Sequence, residues 1–333
     1  MPCSFDDKVI IEKAEFKKFT AGGDIFRVGI ISDTQLPPNE KKLEENDLYI
    51  RYLRTALTEL KNNGVGMILF ADDIGDEGSY FAFKTYQSVI DEVFGEDKPV
   101  IQTIMGNHDY WSENDLFASD HIRSFEKALG QSPWTHYVVN GYHFIGASPN
   151  NGSMSCGYKL TSKWLARELE KASKDTPDKP IFVMTHNQPK DTCYGSKDWG
   201  GDSSLNKVMS KYPNAVIFSR HSHYSILDER SIWQGDYTVL STQSLSYTEL
   251  EAGKDSITLS FAAAADDDFV NSYKVVIDGK EEKLFFSDYY NGIGSMSKTV
   301  ELTLKSDGQK HNYKIYALDS WGAQSKDCIE IGA

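Results

Sequence analysis

The run Pro99-Val100-Ile101-Gln102-Thr103-Ile104-Met105-Gly106-Asn107-His108-Asp109 decides how this chain is read. Its first seven residues are mostly apolar and β-branched, the composition of a buried strand. Gly106 then lets the backbone adopt a conformation closed to other residues, or come close to a ligand. An amide, an imidazole and a carboxylate follow on one turn. Asn is a neutral oxygen ligand for a metal, His a ligand or proton donor, and Asp a partner that can orient the His. Alone, this is an ordinary polar turn. Its meaning depends on whether the other strands end in the same way.

They do. From about Ile25 to Gln243, apolar strand-like runs alternate with amphipathic helix-like runs, the pattern of an α/β sheet. The strand at 26–31 is followed by Asp33 and Gln35, and the strand at 65–71 by Asp72-Asp73-Ile74-Gly75-Asp76. The strand at 180–185 leads to His186, and the one at 215–218 to His221-Ser222-His223. Helical spacing of Leu48, Tyr52, Leu53, Ala56, Leu57 and Leu60, a helix over Ser79–Phe94 and another marked by Leu165, Leu169 and Ala172 separate these strands. Asn140-Gly141 marks a hairpin turn inside 137–146. Ligands of open α/β sheets bind outside the carboxyl ends of the strands. Five such ends carrying Asp, Asn and His describe a metal site, although each residue alone is unremarkable.

The ordered set resembles the calcineurin-like metallophosphoesterase superfamily, whose signature runs D-x-H, G-D, G-N-H-D or G-N-H-E, a lone His, then G-H-x-H. The resemblance implies a four-layer αββα sandwich holding two divalent metal ions. Asp33, Gln35, Asp73 and His223 would hold one ion, and Asp73 would bridge to a second held also by Asn107, His186 and His221. A hydroxide bridging the ions would attack a phosphate mono- or diester in line. His108, oriented by Asp109, would serve the leaving group as general acid. The implied enzyme is a hydrolase of phosphoric esters, a phosphatase or phosphodiesterase. Mixed nitrogen and oxygen ligands suit Mn, Fe or Zn, and the neutral oxygen of Gln35 favours Mn.

Several positions depart from that signature. Gln35 stands in place of His, and two glycines beside ligands are replaced by Asp72 and Arg220. Their opposite charges predict either a salt bridge between them or an Arg220 contact with substrate phosphate. Gln243 could be a third such replacement. Asp76 occupies the position where purple acid phosphatases carry a Tyr ligand, so no purple iron site is expected. The stretch from Thr185 to Gly200 is similar to bacterial, often exported, members. It offers Tyr194 and Trp199 as a substrate wall or as loop packing. These departures sustain an alternative reading, a catalytically degenerate member of the fold that binds without turnover.

Beyond about Leu250 the pattern changes to short alternating runs at 257–262, 273–277, 283–286, 299–304, 313–318 and 328–331, separated by Gly, Asp and Asn. These predict a small all-β sandwich, so that residues 1–248 form the phosphoesterase domain and 249–333 an accessory domain. The segment Tyr313–Gly322 resembles the closing strands of fibronectin type III-like domains, which dock on a neighbouring domain or a surface partner. Across 333 residues, 49 Asp and Glu outweigh 35 Lys and Arg, a formal charge of -14. That field disfavours a nucleic-acid scaffold or an anionic membrane, while a small phosphorylated substrate stays compatible because metal ions supply local positive charge. Four widely spaced cysteines form no zinc motif or disulfide framework and leave room for one bridge that the sequence does not assign. No apolar run is long enough to span a bilayer. The first residues lack a basic and then apolar signal segment. The reading is therefore an exported or cell-surface protein whose signal has been removed, or otherwise a cytoplasmic one.

Overall fold

The computed structural model describes residues 12–22, 25–45, 48–71, 73–112, 117–154, 157–197, 199–223, 229–242, 245, 256–262, 270–286, 299–305, 309–319 and 323–332. The chain divides into two compact units, Met1–Thr248 and Glu249–Ala333.

The first unit runs β1 (Glu15–Phe19), β2 (Val28–Ile31), α1 (Glu40–Glu45), α2 (Leu48–Asn62), β3 (Met67–Ala71), α3 (Tyr80–Phe94), β4 (Val100–Ile104), α4 (Ala118–Leu129) and β5 (Trp134–Val139). It continues with β6 (Tyr142–Ala147), α5 (Thr161–Asp175), β7 (Ile181–Met184), α6 (Ser203–Met209), β8 (Ala215–Ser219), β9 (Ile232–Gln234) and β10 (Thr238–Ser241). Strands β2, β3 and β4 form a parallel sheet in that order. The other strands form a seven-stranded, mostly parallel sheet ordered β1-β5-β6-β7-β8-β10-β9. Only the β5–β6 and β9–β10 pairs in it are antiparallel.

The two sheets face each other across one core. Met67, Leu69, Ala71 and Ile104 of the small sheet pack on Tyr137, Val139, Phe144 and Met184 of the large one. Gln102 is fully buried, and its amide donates to Thr135 Oγ1 and the Phe144 carbonyl, so a polar bridge joins the sheets. Helices cover the outer faces. Leu60 of α2 lies over Gly29 of β2 so closely that a Cβ there would collide with it. Tyr86 of α3 packs edge-on against Phe70 of β3 and shares a hydrogen bond with Thr103 of β4. On the far side α5 packs on β6 and β7. The expected αββα layering is therefore present.

Local signals explain most of the elements. Ser79 caps α3 by accepting from the Ala82 N–H, and Gly95 ends the helix at positive φ. Asn140 and Gly141 both lie at positive φ, as a tight hairpin turn between β5 and β6 demands.

In the second unit β11 (Ser256–Ala262) pairs antiparallel with β14 (Thr299–Lys305). A four-stranded antiparallel sheet orders β13 (Glu281–Phe286), β12 (Val270–Ile277), β15 (Asn312–Asp319) and β16 (Ile329–Gly332). Leu259, Leu302 and Leu304 from the first sheet meet Tyr273, Val275, Tyr313 and Ile315 from the second. No helix occurs here among the described residues.

Candidate metal centre

The carboxyl ends of β2, β3 and β4 bring Asp33, Asp73 and Asn107 from the small sheet. The ends of β7 and β8 bring His186, His221 and His223 from the large one. Because the sheets are stacked, the two rows of loops meet over their common edge. The connecting backbone is strained to achieve this. Asp33 (φ 49°), Gln35 (φ 45°), His221 (φ 67°) and His223 (φ 55°) all lie in the left-handed region. Each such residue costs about 1–3 kcal/mol and persists only where the surroundings enforce it. Here they do: the Gln35 N–H donates to the Asp73 carbonyl, Thr34 Oγ1 to the Ile74 carbonyl, and the Arg220 N–H to the His186 carbonyl. Gln188 Nε2 donates to Ser222 Oγ, between the two histidines.

Asp73, His186 and His221 converge. His186 Nε2 lies 3.2 Å from Asp73 Oδ2 and 3.2 Å from His221 Nδ1. Ligand atoms bound at about 2.0–2.2 Å to one roughly tetrahedral ion show such separations. Asn107 is buried, and neither its amide oxygen nor its amide nitrogen has a hydrogen-bond partner. Buried amides are normally satisfied, so this one is available to an added group. Asp33 joins the cluster, with its ligand atom, one of Asp73 and one of His186 all within 4.8 Å of one another.

The electrostatics suit a cation. Burial alone would raise the Asp73 pKa, but the charge and hydrogen bond of His186 bring it down to about 2. Burial opposes protonation of His186, yet the Asp73 carboxylate lifts its pKa to about 9. Without a metal the two form a buried ion pair, and a metal bound there displaces the imidazole proton. Burial, reinforced by the His186 charge, pushes His221 down to about 3. Burial also lowers His223, against the pull of Asp33. Both histidines are thus kept neutral, the form that offers a lone pair to a metal. The buried cluster of Asp33, Asp73 and His186, with His221 against His186, is compatible with a divalent ion.

The first position differs. Arg220 is 1% exposed, and its Nε donates to Asp33 Oδ2 at 2.8 Å while Nη1 donates to the Thr242 carbonyl. His223 Nε2 faces the same Asp33 oxygen at 3.7 Å. Arg220 therefore forms a buried ion pair with Asp33. Asp72, the other proposed partner, and Gln243 lie outside the described residues.

His108 stands at the rim, partly exposed. Its backbone N–H donates to Asp73 Oδ1, and its Nδ1–H to the Asp76 carbonyl, leaving Nε2 3.9 Å from Asp73 Oδ2. Asp109 was expected to orient the imidazole ring, and here the geometry corrects the reading. Its fully buried carboxylate accepts from the backbone N–H groups of Ile74, Gly75 and Gly106, so it fixes the turn rather than the ring. Trp111 packs on the His108 ring, centroids 4.1 Å apart.

In the loop after β7, Trp199 is 56% exposed, whereas Tyr194 lies under the Arg230 guanidinium at 3.7 Å. Trp199 is thus exposed and Tyr194 half-buried. The loop nonetheless reaches the centre, since a Cβ on Gly200 would press on His221 Nε2. The sequence reading missed three supports: the Asp76 carbonyl, Trp111, and Tyr158, whose hydroxyl accepts the His186 N–H. Of these only Trp111, an aromatic three residues after His108, carries a local signal. Among the described cysteines, Cys193 and Cys328 are free thiols, while Cys3 and Cys156 lie outside the described residues. No described helix is long and apolar enough to cross a membrane.

Residues 26–225 match the calcineurin-like phosphoesterase family, and the chain belongs to it. Compared with the curated proteins, the chain has no significant match. Among solved structures it is similar to a dimetal phosphatase from Danio rerio, at 10% identity and TM-score 0.48, covering 92% of this chain and 98% of that one. It is also similar to GAP50, the anchor in the inner membrane complex of Plasmodium (13% identity, TM-score 0.37, 91% and 89% covered). A third likeness is to an archaeal phosphodiesterase (12% identity, TM-score 0.33, 78% and 98% covered).

Proposed function

We propose that this chain is a metal-dependent phosphoesterase that hydrolyses a small phosphate mono- or diester. The observation that carries the reading is the convergence of Asp73, His186 and His221 beside the unbonded amide of Asn107, with His108 at the open rim. A divalent ion held there supplies Lewis-acid activation of water and of the phosphoryl group. Oxygen donors from Asp73 and Asn107 beside two imidazoles favour Mn among Mn, Fe and Zn.

The protein's own groups divide the remaining work. The Asp76 carbonyl takes the Nδ1 proton of His108 and so fixes the ring, leaving Nε2 to carry a proton to the departing oxygen. Trp111, packed on the ring and held by its indole N–H to the Gly152 carbonyl, restricts the ring to that orientation. Asp109 holds together the turns bearing Asp73 and His108 by accepting backbone N–H groups from both. Trp199, exposed beside Gly200, is assigned to the substrate wall. The C-terminal unit is assigned the role of an accessory module of an exported protein, with fibronectin type III-like character supported by its antiparallel strands around Tyr273 and Tyr313.

Aryl phosphate mono- and diesters assayed with added Mn test this reading. Turnover of either one, abolished in His186→Ala, is the expected result. No turnover on any ester with any divalent metal would overturn it. It would leave the second reading, binding without catalysis, which the engagement of Asp33 by Arg220 favours.

A further inference from the structure

The geometry points to Arg220 as a built-in cation that takes the place of the first metal ion, so that the chain holds one divalent ion rather than two. This inference rests on the metal reading of the site and concerns how the site is filled.

The first ion of the implied pair would draw on Asp33, Gln35, Asp73 and His223. Of these, His223 faces Asp33 through Oδ2, which the Arg220 guanidinium already holds at 2.8 Å, so that only Oδ1, on the His186 side, is turned toward the other ligands. A guanidinium at that distance on a fully buried carboxylate makes a charge-assisted hydrogen bond and neutralises it. A second cation on the same oxygen would meet the guanidinium at close range, with no solvent to screen the repulsion. Arg220 is not a side chain that could swing away. It ranks among the largest fully buried side chains, and its guanidinium is tied to the Thr242 carbonyl on the loop after β10. Its backbone is pinned as well, through the N–H to His186 and the carbonyl to Ser222.

The other position has no such competitor. Asp73 Oδ2, His186 Nε2 and His221 Nδ1 converge, and the Asn107 amide has no partner. Asp33 Oδ1 lies 3.8 Å from His186 Nδ1, so the Arg220–Asp33 pair also abuts the ring of the ligand that serves the remaining ion. Asp33 is then the anion of Arg220 and lies beside the His186 ring.

Metal content after equilibration with excess Mn and removal of free ion tests this, read by elemental analysis and by Mn electron paramagnetic resonance. The wild type is expected to retain one ion per chain with the spectrum of an isolated Mn(II). Arg220→Gly is expected to retain two ions and to show a spin-coupled pair. Should that variant not fold, Arg220→Met keeps the buried volume without the charge and carries the same expectation. Two ions in the wild type, or one ion in a folded Arg220 variant, would overturn the inference while leaving the phosphoesterase reading intact. No retained ion in either protein would overturn both.

Discussion

Replacing Asp109 isolates what holds the centre together. Its carboxylate is fully buried and accepts from three backbone N–H groups, two on the Asp73 turn and one at Gly106. Asp109→Ala leaves these donors in a space closed to water. Each buried, unsatisfied donor costs about 1–3 kcal/mol. Partial relaxation prevents full additivity, so the expected loss is about 3–5 kcal/mol, a large share of the ~5–15 kcal/mol that stabilises a typical domain. Asp109→Asn keeps one oxygen but turns an NH2 toward at least one donor, and about 1–3 kcal/mol is expected. Urea unfolding followed by circular dichroism, compared at equal m-value, reads both losses. Because the carboxylate fixes backbone, Asp109→Asn should also lower kcat while leaving the pH profile in place. An alanine variant within about 1 kcal/mol of wild type would refute the latch.

Other consequences follow from single contacts. His108→Ala should lose about 10²–10⁴-fold in kcat on an alkyl phosphate, whose leaving group needs a proton, and much less on p-nitrophenyl phosphate. Its metal content should be unchanged, and equal losses on both esters would contradict the general-acid role. Gly78→Ala should destabilise by about 2–3 kcal/mol, because its Cβ would overlap the Asp109 carbonyl and press on the buried His121 ring; unchanged urea unfolding would contradict this. Buried His143 links His136 to Asp175 at the end of a chain that begins at Glu168. Burial, with the neighbouring His136, depresses the His143 pKa, and the Glu168 pKa is also lowered: burial opposes this, but His136 and Lys171 outweigh it. Groups with depressed folded pKa values stabilise above their unfolded values and lose that contribution as pH falls. The His143 ring should accordingly titrate below 6.5 by NMR, and a midpoint above 6.5 would contradict the network.

The strand-end residues were legible because an α/β sheet places loop donors at one edge whatever the details of packing. The β5–β6 hairpin was legible from Asn140-Gly141, since few other pairs accept positive φ at both positions. An N-terminal strand segment is expected in the first domain, but β1 cannot be delimited from the sequence because Glu15-Phe16-Lys17-Lys18-Phe19 is largely exposed at the sheet edge and carries no buried-strand pattern. α4 was overlooked although Ile122, Phe125 and Ala128 repeat at helical spacing and are buried. The role of Arg220 could not be read locally. Its partner Asp33 lies 187 positions away, and only the meeting of two sheets brings them together. Asp109 misled for a related reason: a carboxylate next to a His suggests a ring contact, whereas backbone donors from another loop claim it first.

The centre around Asp73, Asn107, His186 and His221 is expected to work through a bound metal. Prolonged dialysis against a chelator, followed by readdition of Mn during hydrolysis of an aryl phosphate ester, tests it most directly. Turnover should disappear with the metal and return in proportion to the Mn retained, while the chain stays folded by circular dichroism. Full turnover in verified metal-free protein would contradict it.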